Sequence, residues 1–222
     1  MSAVLAPAPE AGAVSPEVAA AAVSPEDVAR ARWYALLAAL FRAPPAQAWL
    51  DGIGSNVPCA ADDAGESVLA RAWSGFARAC AQADAGDVRQ EYDDVFIGVG
   101  KTEVLPYASY YLSGFLNERP LVELRDHLAV LGLARRADIG ETEDHIAALC
   151  EVMAWLIAGE GSAQGGLAAQ RVFFERFLAP WYEAFAGALE ASEIARFYRH
   201  AGRLLREFLA VERQAFDIDS LE

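Results

Sequence analysis

The segment SPEDVARARWYALLAALF, residues 24–41, indicates the fold class, because its large apolar residues recur at helical spacing. The pattern starts at Trp33 and continues at the i+3, i+4, i+7 and i+8 positions, which form one apolar face of a helix. Ser24 is a good N-cap residue, and Pro25 suits the first helical position. The segment therefore predicts an amphipathic helix that begins near residue 24 and buries one face.

Helical periodicity continues along most of the chain. It is present at 66–82, 87–97, 105–117, 120–132, 142–158, 165–187 and 191–211. The sequence shows neither alternating β-branched runs nor a two-residue hairpin signal, and it has no internal repeat. It therefore predicts an all-α fold, a single compact domain of about eight to ten helices.

Composition sets the expected limits of this domain. Residues 1–23 are rich in Ala, Pro and Val without a helical or strand period, so we expect a flexible N-terminal tail. The all-helical domain is predicted at 24–215, and a C-terminal tail at 216–222.

The charge and cysteine content favour a soluble protein of a reducing compartment. The net charge of −14 disfavours nucleic acid and anionic membranes as main partners, whereas it tolerates a basic peptide. The three cysteines, Cys59, Cys80 and Cys150, contain no CxxC pair and predict no disulfide framework. The N-terminus lacks the features of a secretory signal, and the apolar runs are shorter than the roughly 18 residues of a membrane span. We expect a cytoplasmic protein.

The segment GVGKTE, residues 98–103, contains the Gly-Lys-Thr sequence of a nucleotide-binding loop. A P-loop would require glycine at position 95, which is Val95, and a strand before the loop instead of a helix. We interpret the segment as a turn that ends a helix. A nucleotide-binding enzyme using residues 98–102 remains an alternative.

Two Glu/His pairs suggest a metal site as a second alternative. Glu123 and His127 are four residues apart, as are Glu141 and His145, so each pair shares a helix face. The Glu-x-x-His motif of helical-bundle metal centres has a spacing of three, which neither pair has. A catalytic nucleophile is also not indicated, because Cys150 lies in an apolar stripe and no G-x-S-x-G motif occurs. We therefore predict no metal ligands and no catalytic residues, and a helical-bundle metalloprotein remains the alternative.

An aromatic segment and an acidic segment are candidates for a binding surface. LPYASYYLSGF, residues 105–115, places four aromatic residues at i, i+3, i+4 and i+8, beginning at Tyr107. Tyrosines suit the wall of a peptide groove, while core packing is the simpler interpretation for Tyr111 and Phe115. The segment GETEDHIAALCEVM, residues 140–153, opens with acidic residues and a histidine. This opening is typical both of the polar edge of a groove and of an ordinary capped helix start.

Taken together, four segments resemble the TorD/DmsD family of redox-enzyme maturation chaperones in their order and spacing. They are EYDDVFIGVG, LPYASYYL, ETEDHIAALCEVMAWLI and FFERFLAPWYEAF, and the resemblance spans residues 28–210. Val95, Val99 and Thr142 depart from the residues that are usual in the family's motifs, a leucine and two prolines.

The resemblance implies a single compact multi-helix domain of the TorD/DmsD type that is not an enzyme and uses no cofactor of its own. Members of the family hold the N-terminal, twin-arginine leader of a molybdopterin-dependent oxidoreductase subunit while its cofactor is inserted before export. The implied partner is thus the apo molybdoenzyme catalytic subunit with its leader peptide, in the cytoplasm. The implied oligomeric state is a monomer or a homodimer, with or without domain swapping.

The resemblance also implies a peptide-binding site. Its residues are Tyr107, Ser109, Tyr111, Glu143, Asp144 and His145. We expect the tyrosines to line an apolar groove and Asp144, with Glu141 and Glu143, to face client arginines at its mouth. We expect His145 to orient Asp144 or to bind the peptide backbone.

Overall fold

A computed structural model of the protein describes residues 5–7, 24–56, 67–98, 102–159 and 166–219. These residues form ten α-helices, one short π-helical segment (Asp93–Ile97) and two three-residue strands. The helices are α1 (Pro25–Arg42), α2 (Gln47–Gly54), α3 (Val68–Gln82), α4 (Ala85–Tyr92), α5 (Ala108–Ser113), α6 (Arg119–Val130), α7 (Ile146–Ile157), α8 (Leu167–Phe177), α9 (Tyr182–Ala191) and α10 (Phe197–Asp219). The predicted all-α class is confirmed.

The helix ends follow local chemistry. Ser24 caps α1, since its hydroxyl accepts a hydrogen bond from the backbone N–H of Asp27 at 3.0 Å. The segment 165–187, predicted as one helix, is instead divided into α8 and α9 by the turn at residues 178–181. Pro180 lies in that turn, and proline disfavours helical conformation in the residue before it.

The predicted tails differ from the structure at both ends. Leu5–Pro7 form strand β1, which pairs antiparallel with β2 (Leu133–Arg135), so these residues are not a free tail. The rest of the predicted tail at 1–23 lies outside the described residues. Helix α10 continues into the predicted tail at 216–222 as far as Asp219, because Phe216 extends its apolar face and is 2% exposed.

The chain divides into two compact units. The first contains residues 1–38 and 107–181, and the second contains residues 39–106 and 182–222. In the first unit, α7 packs against α8 and α5 against α6. Helix α7 is buried around most of its circumference, which explains why its sequence is apolar on nearly every face.

The second unit is organised around α10, which packs against α3 and α9. Its core contains a ring cluster of Phe41, Tyr92, Phe96, Phe185 and Tyr198, and neighbouring rings in it lie 5.0–6.2 Å apart. None of the helices in the described ranges is long and apolar enough to cross a membrane.

Candidate functional site

Asp144 is an interior residue that joins α5 to the turn before α7. Its carboxylate is 1% exposed. Oδ2 accepts hydrogen bonds from the Ser109 backbone N–H at 2.9 Å and from the Ser109 hydroxyl at 2.6 Å. Oδ1 accepts one from the Thr142 hydroxyl at 2.6 Å. Three donors of the chain itself thus satisfy a carboxylate that was expected to face client arginines.

Glu143 is also interior, at 7% exposure, and is paired with arginines of the same chain. Arg125 of α6 lies 2.9 Å from its carboxylate, and Arg135 of β2 lies 3.8 Å away. Of the three acidic residues in this segment, only Glu141 is exposed. The expected acidic edge of three carboxylates is therefore reduced to one exposed carboxylate.

His145 forms the N-terminal cap of α7. Its Nδ1 accepts a hydrogen bond from the backbone N–H of Ala147 at 3.1 Å. Its ring meets Tyr107 edge to face, with centroids 5.1 Å apart, and the backbones of the two residues form an isolated antiparallel bridge. His145 thus fixes the start of α7 against the residue that precedes α5.

The two predicted tyrosines are half-buried. Burial raises the pKa of the Tyr107 phenol above its ordinary value, and the carboxylates of Glu141 and Asp144 raise it further. Tyr111 stacks on Trp181 with centroids 5.4 Å apart, and burial raises its pKa well above the ordinary value. Both side chains remain neutral at physiological pH and contribute apolar surface with a hydroxyl at one end.

The structure therefore brings the predicted site residues together in the first unit. We call this group the framework, because its members contact one another within the chain. Asp144 is bonded to Ser109, His145 packs on Tyr107, and Glu143 lies between them in sequence. Tyr111 extends the group toward Trp181. Most of their polar atoms are engaged within the chain.

A ridge of exposed apolar side chains lies beside this framework and was not predicted. We call it the 110–116 ridge; its large side chains, with their exposed fractions, are Tyr110 (41%), Leu112 (41%), Phe115 (70%) and Leu116 (42%). Core packing of Phe115, the simpler interpretation of the sequence, is wrong. Helix α5 ends at Ser113 and its C-cap Gly114 has a left-handed φ of 83°, so Phe115 no longer follows the buried helix face. The glycine was the available signal.

A small cavity of about 100 Å³ adjoins the ridge. Leu112 belongs to both the ridge and the cavity, and Pro120, Leu124 and Phe177 are among the other apolar residues that line the cavity. Arg176 lies at the cavity with its guanidinium 5.1 Å from the centre of the Phe177 ring. The ridge and the cavity together form an apolar surface that suits the side chains of a bound segment.

The residues of the metal alternative have other contacts. Glu123 is paired with Arg119 at 2.9 Å, and His127 packs against Phe173 and Phe177. Among the described residues, no group of three or more His, Cys, Asp or Glu side chains could hold a metal ion. Of the nucleotide-loop alternative, residues 99–101 lie outside the described ranges, whereas Gly98, with a left-handed φ of 58°, ends the π-helical segment.

The first motif of the resemblance also has a structural role, in the second unit. Glu91 accepts hydrogen bonds from the backbone N–H groups of Arg196, Phe197 and Tyr198 at 2.8–3.0 Å. It thereby caps the N-terminus of α10, where a carboxylate is stabilised by unpaired amides. The Tyr92 hydroxyl donates a hydrogen bond to the backbone carbonyl oxygen of Arg42, at the end of α1, over 2.9 Å.

These helices define a class of fold that is known among solved structures. The crystal structure of a protein from Archaeoglobus fulgidus, described as a redox enzyme maturation protein, matches with a TM-score of 0.51 and 19% identity. The match covers 82% of this chain and 93% of that one. At this identity the likeness shows the fold alone.

Comparison of the sequence identifies the family. The family model "Nitrate reductase delta subunit" matches residues 62–187, more than half of the chain. The chain is 30% identical over 138 residues to the chaperone protein TorD of Vibrio cholerae serotype O1, and 30% identical over 134 residues to TorD of Aliivibrio fischeri. The chain therefore belongs to the nitrate reductase delta subunit family, and its predicted membership of the TorD/DmsD group is confirmed.

The alignments with these relatives are partial. The match with the Vibrio cholerae protein covers 59% of this chain and 63% of the relative, which is less than two thirds of its length. The match with the Aliivibrio fischeri protein covers 57% and 62%.

Proposed function

We propose that the protein is a cytoplasmic chaperone that binds the N-terminal leader of a molybdopterin-dependent oxidoreductase and holds the apo catalytic subunit during cofactor loading. Family membership and the relatives' name, chaperone protein TorD, support this proposal. The proposed role is binding without catalysis, and it requires no cofactor of the chaperone's own. The proposed partner is the molybdoenzyme subunit, met by a monomer or a homodimer of the chaperone.

We propose that the 110–116 ridge binds the apolar stretch of the leader. The observation that carries this proposal is the exposure of Phe115, at 70%, beside three further exposed apolar side chains and a cavity. Covering a Phe or Leu side chain contributes about 1.5–3 kcal/mol of burial free energy, which favours a partner over solvent. Contiguous apolar surface of this kind is typical of interaction sites in soluble proteins.

The six residues predicted from the sequence take different roles in this proposal. Tyr107 and Tyr111, both half-buried, supply the wall of the site next to the ridge. The four interior residues of the set position α5 and the start of α7, and so fix the direction in which the ridge projects. These four are Ser109, Glu143, Asp144 and His145. A ridge held on a rigid support loses less conformational entropy on binding, which favours affinity.

Calorimetry tests this proposal. The probes are synthetic leader peptides of the molybdopterin-dependent oxidoreductases encoded by the same genome. The variant Phe115→Ser/Leu116→Ser should weaken the binding of the client leader by a factor of ten or more, since central apolar contacts dominate such interfaces. Both side chains are exposed, so the helix content should not change.

The matched control is Val122→Ser/Val130→Ser, which removes two exposed apolar side chains from α6 in the same unit. We expect the control to bind within about twofold of the unmodified protein. Equal affinity of the ridge variant and the unmodified protein would exclude the ridge as the leader site. Failure of every leader peptide to bind the unmodified protein would reject the chaperone function itself.

A further inference from the structure

A cluster of basic side chains lies along the contact between α3 and α10 in the second unit, whereas the ridge belongs to the first. Its members are exposed residues, one from α3 and three from α10: Arg78, Arg199, His200 and Arg203. We call them the α3–α10 patch. None of them is among the site residues predicted from the sequence.

The helical spacing brings these side chains together. Arg199 and Arg203 are one helical turn apart, so about 6 Å separates their positions along the axis of α10. His200 lies against α3, because a Cβ atom at Gly75 would be 3.8 Å from its Nδ1. Arg78 follows Gly75 by three positions and therefore lies on the same face of α3. The patch thus joins two helices that are more than 100 positions apart in the sequence.

In the described ranges, the three arginines of the patch have no carboxylate partner. Eight other described arginines lie within 3.8 Å of a carboxylate of the same chain. Arg78, Arg199 and Arg203 are not among them, although the chain contains 32 acidic residues. Glu207, one turn after Arg203, is paired with Arg206 instead. The guanidinium groups of the patch therefore keep donors for a ligand.

The charge of the cluster acts on His200. Partial burial lowers the pKa of His200 below its ordinary value of 6.5, and the positive charges of Arg199, Arg203 and Arg78 lower it further. Glu91 has the opposite effect on this pKa, but its carboxylate already accepts hydrogen bonds from the backbone N–H groups at the start of α10. The local potential at the patch is therefore positive, although the chain has a net charge of −14.

Screening by salt limits the kind of anion that fits the patch. The Debye length is about 8 Å at physiological ionic strength, so a bound group responds mainly to the charges in its immediate surroundings. A short run of carboxylates meets the three guanidinium groups. A long polyanion such as nucleic acid would extend over the acidic remainder of the surface, which repels it. These conditions favour a short acidic segment over nucleic acid.

We propose that the α3–α10 patch binds a short acidic helix of a partner protein, whose carboxylates pair with Arg78, Arg199 and Arg203. Carboxylate residues three or four positions apart on a helix are about 5–6 Å from one another, which matches the one-turn spacing of Arg199 and Arg203. Each guanidinium can contact a carboxylate through two parallel hydrogen bonds. The ligand has the opposite charge to an arginine-bearing leader, and its site lies in the second unit, so the inference goes beyond the proposed function.

Fluorescence anisotropy with a designed peptide tests the inference. The probe is a rhodamine-labelled helical peptide with three glutamates at i, i+4 and i+7, and its reference has glutamine in place of each glutamate. At low salt the full-length protein should bind the glutamate peptide at least tenfold more tightly than the glutamine peptide. The variant Arg78→Gln/Arg203→Gln should bind the glutamate peptide roughly five- to tenfold more weakly, because two solvent-accessible ion pairs are lost.

Arg199 is left unchanged in this variant, because its guanidinium also donates a hydrogen bond to the carbonyl oxygen of Ser192 at 2.6 Å. The two substituted side chains are exposed, so circular dichroism should show the same helix content and the same thermal midpoint as the unmodified protein. A loss of peptide binding with a native circular dichroism spectrum would support the patch.

The matched control is Arg32→Gln/Arg89→Gln, which removes the same two charges from exposed positions outside the patch. The control should bind the glutamate peptide within twofold of the unmodified protein. Equal losses in the two variants would show general charge attraction and overturn the proposal, as would unchanged binding by Arg78→Gln/Arg203→Gln.

Two further measurements test other occupants of the patch. A single-stranded oligonucleotide that displaced the glutamate peptide at equal concentration would assign the patch to phosphate groups and overturn the proposal. Light scattering should give the same molar mass for the unmodified protein and for Arg78→Gln/Arg203→Gln. A dimer that dissociated in the variant would assign the patch to a second copy of the chain and also overturn the proposal.

Leader peptides separate this inference from the proposed function. The variant Arg78→Gln/Arg203→Gln should bind them within twofold of the unmodified protein, and a loss of leader affinity would show that the patch serves the leader and reject the inference. The ridge variant Phe115→Ser/Leu116→Ser should bind the glutamate peptide as the unmodified protein does. Loss of that binding would place the peptide at the ridge and reject the patch, whereas loss of leader binding alone would leave the inference supported.

Discussion

At the scale of single residues, Asp144 illustrates how a carboxylate becomes part of a protein interior. An ionised carboxylate is costly to bury unless donors replace the water it loses. Ser109 supplies two such donors and Thr142 a third, all within 2.9 Å. The Asp144 carboxylate therefore bonds to donors of its own chain and holds the start of α5 in place.

The first prediction concerns the stability that this contact provides. Asp144→Ala should lower the free energy of unfolding by about 2–4 kcal/mol, because it leaves buried donors of Ser109 and Thr142 without acceptors. Urea denaturation followed by circular dichroism measures the effect. The control Asp126→Asn, an exposed residue of α6, should leave the midpoint nearly unchanged. A stable Asp144→Ala protein that had lost only leader affinity would instead support direct contact between Asp144 and the client.

The second prediction concerns pH. Burial lowers the pKa of His127 below its ordinary value of 6.5, and the nearby Arg176 lowers it further. The unfolded chain therefore binds a proton more readily than the folded one. The stability associated with His127 is fully present above pH 6.5 and is lost as the pH falls toward the lowered folded pKa.

The variant His127→Phe keeps a ring against Phe173 and Phe177 but does not titrate. The urea midpoint of unfolding should therefore decrease less between pH 7.5 and pH 5.5 in the variant than in the unmodified protein. Parallel pH dependence in the two proteins would contradict the assignment.

At the scale of helices, the packing of α9 against α10 depends on a glycine. A Cβ atom at Gly202 would lie 2.9 Å from Cβ of Leu189, closer than side-chain carbons approach one another. The two helices approach closely here because one of them has no side chain at the crossing. Gly187 of α9 has no such reason, because a Cβ atom placed there would meet nothing within 4 Å.

The third prediction uses these two glycines as a pair. Gly202→Ala should destabilise the protein by about 1–3 kcal/mol, because α9 and α10 must separate. Gly187→Ala should stabilise it by about 0.5–1 kcal/mol, because alanine favours the helix and meets no neighbour. Thermal unfolding by calorimetry distinguishes the signs, and the same sign for both substitutions would contradict the close approach.

Elements could be predicted from the sequence more fully than their contacts. The periodicity from Trp33 onward predicted α1, and Ser24 was correctly recognised as its cap. Strand β1 was not predicted, because three residues paired with a segment about 130 positions away leave no local pattern. The exposure of Phe115 was missed because an aromatic residue at helical spacing is usually buried, whereas the helix ends two residues before it.

At the scale of the whole molecule, each compact unit contains one buried cysteine among its described residues. Cys150 lies in the first unit and Cys80 in the second, and both are about 1% exposed or less. Burial raises the pKa of the Cys80 thiol to about 12 and raises that of Cys150 further above its ordinary value. Since the thiolate is the reactive form, both side chains are protected in the folded protein.

The fourth prediction follows from this distribution. In a Cys59→Ser variant, a thiol-specific reagent at pH 8 should react far more slowly with the native protein than with the urea-unfolded one. Single variants that retain only Cys80 or only Cys150 would then report the unfolding of each unit separately. Rapid labelling of either thiol in native conditions would show that its unit opens or that its burial is wrong.

The sequence by itself determined the all-α class, most helix positions and, through its four motifs, the family. These properties depend on residues close together in the chain, whose spacing sets which helix faces are apolar and where caps can form. Only the tertiary structure decided which charges are satisfied internally and which surfaces remain open. Asp144 meets Ser109 across 35 positions, and Glu91 caps α10 across more than 100 positions. Such partners are chosen by packing between helices, so no local pattern records them.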